Sequence, residues 1–402
     1  LNEKTKETQM TRQLATIQRI TNLTPIDGAD RIEAARVLGW DVVVTKGEFK
    51  VGELAIFYEI DSFLPATDER YTSFSDKFIT WQDKRGMRLK TIRLRKQISQ
   101  GLLLPISKFP EIKNGLVIEG FDVTEILKIE KWEAAEPNGP GVPNTGKTRV
   151  FPSFVRKTDQ ERVQNYGSRV LEHLDTRFQV TTKKDGSSMT TYVVRPNCKY
   201  YAEAKKLRGG NKKLSLFARF KNFFNETFGF ATEAQPIIGL CSRNVQLDLD
   251  GSGNFHTAFK SAKLEQALLG ISEEFDRSIA IQGELVAPTI QGNYEKVTDV
   301  EFHVFGMYDI QKQREVSPNR VEEICQQFGL KHVTVLFRGT LKDILNLPEY
   351  NKETIVQAIL DLAEGEGDNK GVKREGVVFK AEGLETFTFK AISNSYLLKT
   401  GK

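Results

Sequence analysis

Residues 179–194, QVTTKKDGSSMTTYVV, set two lysines, Lys183 and Lys184, directly against Asp185 and Gly186. Phe178, Val180 and Thr182 alternate before the Asp-Gly pair, and β-branched residues crowd the run from Thr190 to Val194 after it. The stretch therefore reads as two strands joined in a hairpin. A lysine at the mouth of such a turn is ordinarily a solvated cation. It is a nucleophile only when held neutral, and with an unperturbed pKa near ~10.4 its deprotonation at pH 7 costs about 4 to 5 kcal/mol, at ~1.36 kcal/mol per unit. Nearby cations, a divalent metal or partial burial lower that cost by disfavouring the ammonium. The Lys-x-Asp-Gly pattern alone leaves both uses open.

Four further stretches bear on the choice: LCSRN at 240–244, IQGELVAP at 281–288, FHVFGMYDI at 302–310, and REGVVFKAEG followed by FTFKAISN between 374 and 394. Attack by an amine on a nucleotide phosphate needs cations to take up developing charge, carboxylates to hold a metal of the magnesium kind, and an aromatic plane for the base. These stretches contain that kit. In order and kind the set resembles the covalent nucleotidyltransferase superfamily of ATP-dependent DNA ligases, RNA ligases and mRNA capping enzymes.

Carried over residue by residue, the resemblance implies that Lys183 is the nucleophile that becomes adenylylated. Asp185 and Gly186 would shape the ribose site, with Asp185 also near the metal. Arg243 would contact the ribose or the phosphate of the bound strand. Glu284 would touch the ribose and join Asp185 and Glu375 around Mg2+ or Mn2+. Phe305 would stack on the base, Lys390 would grip the α-phosphate with Lys380 nearby, and Arg162 would lie close to the outgoing phosphates.

The order of modules narrows the resemblance. A barrel-like module precedes the lysine motif, and twelve residues follow Lys390. DNA ligases and capping enzymes carry an OB domain after the last lysine motif. The layout, with SRN and the KTDQERVQN segment, is similar to nick-sealing RNA ligases that have an amino-terminal OB domain. It implies an ATP-dependent enzyme that joins 3′-hydroxyl and 5′-phosphate ends in duplex RNA through a lysyl-AMP intermediate. A DNA ligase, a guanylyltransferase and a non-catalytic nucleic-acid-binding relative stay as alternatives. Two departures stand out: Thr388-Phe389-Lys390 replaces the usual Lys-x-Lys, with Lys380 as a substitute cation, and the interval from Lys183 to Arg243 is long.

The elements that must position these residues fall on either side of a Pro- and Gly-rich break, EAAEPNGPGVPNTGKT. The expected division is an OB-like domain over 10–135, a linker over 136–150 and an adenylation domain over 151–402. The fold class is α+β: antiparallel sheets with helices in an ATP-grasp-like ligase adenylation domain, preceded by an all-β OB-like barrel. In LKTIRLRK, alternation puts Arg93 and Arg95 on one strand face and Ile92 and Leu94 on the other, a candidate face for nucleic-acid phosphate. TDQERVQNYGSRVLEHL has helical spacing with Thr158 or Asp159 as cap. Helices are also expected near KLEQALLG, VEEICQQFG and ETIVQAILDLAEG. Residues 203–228 set Lys205, Lys206 and Arg208 ahead of a Phe-rich run, where Phe217, Phe220 and Phe224 share a helical face; this segment is expected to dock by its Phe face and offer its cations to nucleic acid.

The bulk numbers agree with such an enzyme. The chain has 402 residues, 39% hydrophobic and 28% charged, with net charge +5. A mildly basic balance permits a nucleic-acid partner without requiring one. Three distant cysteines argue for thiols in an intracellular, reducing setting, and four scattered histidines argue against a zinc site. The opening residues lack the apolar core of a secretory signal. A monomer is expected.

Overall fold

The computed structural model describes residues 12–112, 114–133, 150–208, 234–383 and 387–401. The expected linker and the Phe-rich run beyond Arg208 lie outside them.

The amino-terminal part is built on a five-stranded antiparallel sheet in which Leu102–Pro105, Leu54–Tyr58, Ala15–Pro25, Ile32–Val37 and Trp40–Thr45 lie side by side. The long strand Ala15–Pro25 pairs with Leu54–Tyr58 along its first half and with Ile32–Val37 along its second. A register shift between Ile20 and Asn22 marks the change of partner. Such an irregularity bends a strand and lets one segment serve two parts of a curved sheet, which gives the OB-like form. One face encloses Ile17, Ile56, Tyr58 and Leu104. The other encloses Ile20, Val37, Trp40 and Phe57, and it receives Ile392, Tyr396 and Leu397 from the far end of the chain. A second sheet of four short strands, Glu130–Lys131, Ser62–Pro65, Lys84–Arg88 and Ile79–Trp81, stands beside it.

The carboxyl-terminal part holds two sheets. In the first, here the lysine sheet, Glu161–Arg162, Thr388–Ile392, Gly376–Ala381, Arg177–Lys183 and Val335–Thr340 are neighbours in that order. In the second, the glutamate sheet, the order is Gln246–Leu247, Ile237–Cys241, Ser187–Val194, Ile279–Val286, Glu301–Asp309 and Arg314–Glu315. The strands Arg177–Lys183 and Ser187–Val194 exist as expected, but they are not a hairpin. The first pairs with Gly376–Ala381 and Val335–Thr340, the second with Ile237–Cys241 and Ile279–Val286. Lys184, Asp185 and Gly186 thus form the crossing point between two sheets.

Alternation then sorts side chains between core and cleft. On the outer face of the lysine sheet, Phe178, Val180, Phe379 and Phe389 pack against the helices Val163–Leu171 and Lys352–Ala363. The Phe379 and Phe389 rings stack at 4.7 Å. The outer face of the glutamate sheet, with Met189, Leu240, Ile281 and Phe302, packs against Asn254–Ser261, Leu264–Glu274 and Pro318–Gln327. The expected helices around Leu264, Val321 and Ile355 are therefore present. The opposite faces of the two sheets look into the cleft between them.

One helix begins later than the sequence suggests. Neither Thr158 nor Asp159 caps it: the helix is Val163–Leu171, and Arg162 occupies the cap position without a side-chain cap bond. Glu161 and Arg162 are instead extended and pair in parallel with Phe389 and Lys390. Strand pairing satisfies backbone groups that an earlier helical turn would have claimed.

Candidate active site

Two lysines enter the crossing point, and the structure separates their roles. The Lys183 side chain retains 24% exposure and reaches Glu375, with Nζ 2.8 Å from Oε2. Lys184 retains 3% and is ion-paired to Glu295 at 2.9 Å and Asp368 at 2.7 Å. Glu295 is a clamp, because its second oxygen accepts the backbone N–H of Asp185 at 3.0 Å. Gly186 completes the crossing: a Cβ there would sit 2.3 Å from the Leu285 carbonyl oxygen, so only glycine fits between the sheets. Lys184 therefore fixes the turn, and Lys183, on the next side chain of the alternation, faces the cleft.

The electrostatics differ from the sequence-based expectation. Lys183 is not held neutral by surrounding cations. Burial works against its charge, but Glu375 and Glu284, with Asp185 behind them, outweigh burial and raise its pKa above the ordinary lysine value. Carboxylates converge on this amine more closely than cations do. Glu284 bears the complementary cost: burial, reinforced by Glu375 and Asp185 against the pull of Lys183, pushes its carboxyl up to about 8. Lys390 is the amine that is driven towards neutrality. Burial, then the charges of Lys183 and Arg162, bring it down to about 7.

Lys183, Lys390 and Arg162 share one face of the lysine sheet, and Glu284 faces them from the glutamate sheet. Lys390 lies beside Arg162 in the parallel pair and opposite Val378 in the antiparallel one. Arg162 is buried, and its Nε and Nη1 have no hydrogen-bond partner. Its nearest carboxylate is Asp61, with Nη2 at 3.9 Å from Oδ2. A guanidinium kept dry with unmet donors beside Lys183 and Lys390 is the chemistry of an anion site. Lys380, expected to replace the missing cation, is the direct cross-strand partner of Thr388. Opposed residues of an antiparallel pair point to the same side.

Lys380 also joins the two sheets. Its ammonium donates to the Phe305 carbonyl and lies 5.6 Å from the centre of the Phe305 ring. Phe305 owes its position to a bulge: Gln282 pairs with Gly306 and Gly283 with Val304, so Phe305 is the extra residue between two ladder pairs. A bulge turns its extra side chain away from the regular alternation. Phe305, Gly306, Gln282, Thr158 and Lys380 line a narrow cleft.

The rim is less tightly built. Arg243 is half-exposed and pairs with Asp159 at 3.0 Å and Glu133 at 3.6 Å. Among the described residues no three His, Cys, Asp or Glu side chains gather as a ready-made metal site. The predicted set of Asp185, Glu284 and Glu375 shares the cleft, but all three act on Lys183, Glu375 by contact and the others through space. Lys205, Lys206 and Arg208 are exposed at the end of the helix Tyr201–Leu207. Arg93 and Arg95 do not share a strand face, because the strand ends at Leu94 and Arg95 begins a turn with φ 48°. Ile92 and Leu94 are exposed as well, at 38% and 39%. This feature is a free-standing hairpin rather than one wall of the barrel.

Several residues at the site carry no sequence signal. Glu295 and Asp368 are distant in the chain and meet only at Lys184. From the amino-terminal part, Arg12 pairs with Glu59 at 2.8 Å and Asp61 at 3.5 Å, and Arg88 pairs with Asp61 at 2.9 Å. Asn165 ties the parts together, accepting from the Trp40 indole at 2.7 Å and donating to Glu59 and Glu161. Burial opposes the charge of Asp61, but Arg162 and Arg12 overcome it and depress its pKa.

A half-buried lysine at the junction of two sheets, faced by acids and flanked by buried cations, defines a covalent nucleotidyltransferase. The comparisons narrow this further. A family model described as RNA ligase matches residues 176–392, and one described as an OB-fold domain matches residues 14–106. The chain belongs to the RNA ligase family. It is similar to a Naegleria gruberi RNA ligase variant solved with ATP and Mn, at 36% identity over 96% of this chain and 98% of that one, with a TM-score of 0.75. The same values relate it to the Naegleria gruberi RNA ligase with PPi and to a variant with AMP and Mn. No curated protein matches the chain.

Proposed function

We propose that this protein is an ATP-dependent ligase that seals 3′-hydroxyl/5′-phosphate breaks in duplex RNA, with Lys183 as the residue that carries AMP. The observation behind this reading is the cleft itself: one accessible lysine, Lys183, between acids on one side and the anion-binding face of Arg162 and Lys390 on the other. The first step forms a bond between Lys183 Nζ and the α-phosphorus of ATP and breaks the bond to pyrophosphate. AMP then passes to a 5′-phosphate end, and the 3′-hydroxyl displaces it as the strand closes.

The ionisation states say what each residue does. Lys183 is an ammonium held by Glu375 until it must surrender a proton. Arg162 has donors for the outgoing phosphates. Lys390 lies near its titration point, so an arriving phosphate recharges it and the phosphate gains a cation. Phe305, at its bulge, offers a face to the base. Oxygen donors of the Asp185, Glu284 and Glu375 kind suit Mg2+ or Mn2+. Such an ion, when bound, would neutralise the carboxylates that hold the Lys183 proton and stabilise charge on the reacting phosphate.

Sealing assays with paired substrates test the reading. Nicked duplexes carrying RNA or DNA on the 3′-hydroxyl side, with ATP or GTP, are expected to show closure with ATP and preference for RNA at that end. Closure of DNA nicks alone, or dependence on GTP, would refute it.

A further inference from the structure

The hairpin Ile92–Leu94 and Gln97–Ser99 has no counterpart in the function described so far. Between Asp83 and Glu111 the chain contains no acidic residue. Two cations of this stretch are already committed, Lys84 to Glu130 and Arg88 to Asp61. Lys90, Arg93, Arg95 and Lys96 are exposed and, among the described residues, have no ion pair. The ribbon is two strands wide, with pairs Ile92 to Ser99, Arg93 to Ile98 and Leu94 to Gln97.

Its tip is unusual. Arg95 and Lys96 both have positive φ, 48° and 70°, in a two-residue turn. Asn-Gly fills that conformation with least strain. A bulky residue there strains the backbone. The turn thus carries two cations at positions where backbone preference favours others.

The root is rigid and close to the chemistry. The Val43 N–H donates to Ser99 Oγ at 2.9 Å, and the Gln100 N–H donates to the Asp41 carbonyl at 2.8 Å. The Gln100 amide donates to Asn394 Oδ1 at 3.2 Å. The neighbouring Ser393 N–H donates to the Glu375 carbonyl at 2.8 Å. Arm and cleft are therefore fixed to the same backbone.

We propose that this ribbon is an RNA-gripping arm that lies along the duplex flanking the break, with Arg93, Arg95 and Lys96 on phosphates and Ile92 and Leu94 against the sugars. The inference rests on RNA being the substrate. A-form duplex presents a wide, shallow minor groove of 2′-hydroxyls bordered by phosphate, and a short two-stranded ribbon with Arg95 and Lys96 at its tip, Ile92 and Leu94 on one face and Arg93 on the other fits it. Each phosphate contact contributes a salt-dependent increment to affinity.

Two variants test this. Arg93→Ala with Arg95→Ala and Lys96→Ala removes three cations. Arg95→Asn with Lys96→Gly removes two while improving the turn, so a folding defect does not explain its result. Binding of nicked duplex RNA, measured against salt, is expected to weaken about tenfold or more, with the slope of log K against log salt reduced by roughly 2 units. Label transfer from ATP to protein without RNA should be unchanged. Unchanged duplex affinity and slope in both variants would overturn the arm. So would an equal loss for single-stranded RNA, or a loss seen only with anionic lipid vesicles. Failure of wild type to take label from ATP would instead strike the proposed reaction.

Discussion

Glu284 and Lys390 are both held away from their ordinary charge states, and the consequences for stability run in opposite directions. Burial first, then Glu375 and Asp185, lifts Glu284 from 4.5 to about 8. Between those values the folded carboxyl keeps a proton that the unfolded one has lost, so stability falls as pH rises through that window. Lys390, lowered by burial from 10.5 to about 7, loses in the folded state a proton that the unfolded chain retains, so stability rises with pH over that interval. Together the two groups weaken the fold most near pH 7 to 8. Glu284→Gln is expected to raise the melting temperature at pH 8, by a free energy on the order of 1–3 kcal/mol, and to leave it unchanged at pH 5. An equal gain at both pH values would disprove this. The residue types at the cleft were legible because short motifs specify them. The balance around Lys183 was not, since three acids and two cations lie within reach and only distance decides which sign prevails.

At the scale of elements, the site depends on two local departures from regularity. The first is the crossing at Lys184 to Gly186, clamped by Glu295 and Asp368. Glu295→Ala leaves the Asp185 N–H and part of the Lys184 charge without a buried partner, and is expected to destabilise the protein by about 3–5 kcal/mol. It should also slow label transfer from ATP. Lys184→Met combined with Glu295→Leu should recover part of the stability, by thermal melting, but not the rate; recovery of the rate as well would show that the clamp does not position Lys183. The second departure is the bulge at Phe305. Phe305→Leu is expected to raise the KM for ATP about tenfold with little effect on melting, because a lost aromatic stack costs about 1–3 kcal/mol. No change in KM would remove Phe305 from the base site. Neither feature could be read from sequence. An Asp-Gly between two β-rich runs looks the same whether the runs pair with each other or part into two sheets, and Phe-x-x-Phe does not reveal an unpaired residue. Periodicity did locate the helices around Leu264, Val321 and Ile355, whose apolar spacing is local.

At the scale of the molecule, the barrel and the catalytic part are interlocked. The helix Asn394–Thr400 at the end of the catalytic part inserts Tyr396 and Leu397 into the core around Trp40 and Phe57. Tyr396 also hydrogen-bonds with Asp185 of the crossing. Gly39 approaches the first catalytic helix so closely that a Cβ would lie 2.7 Å from Gln164 Cα. These contacts predict one cooperative unfolding transition. Calorimetry should show a single peak, and Leu397→Ala should lower it as a whole, by about 2–5 kcal/mol. Two separable peaks would mean that the parts fold independently. Modular order was visible in the chain, but this interlock was not, since it joins residues from over one hundred to more than three hundred positions apart.

Mass-spectrometric mapping of the wild-type protein after incubation with ATP and Mn2+ tests the central claim most directly. The account predicts a single AMP adduct, on Lys183, absent from Lys183→Ala. An adduct on Lys184 or Lys390 instead, or one that persists in Lys183→Ala, would contradict it.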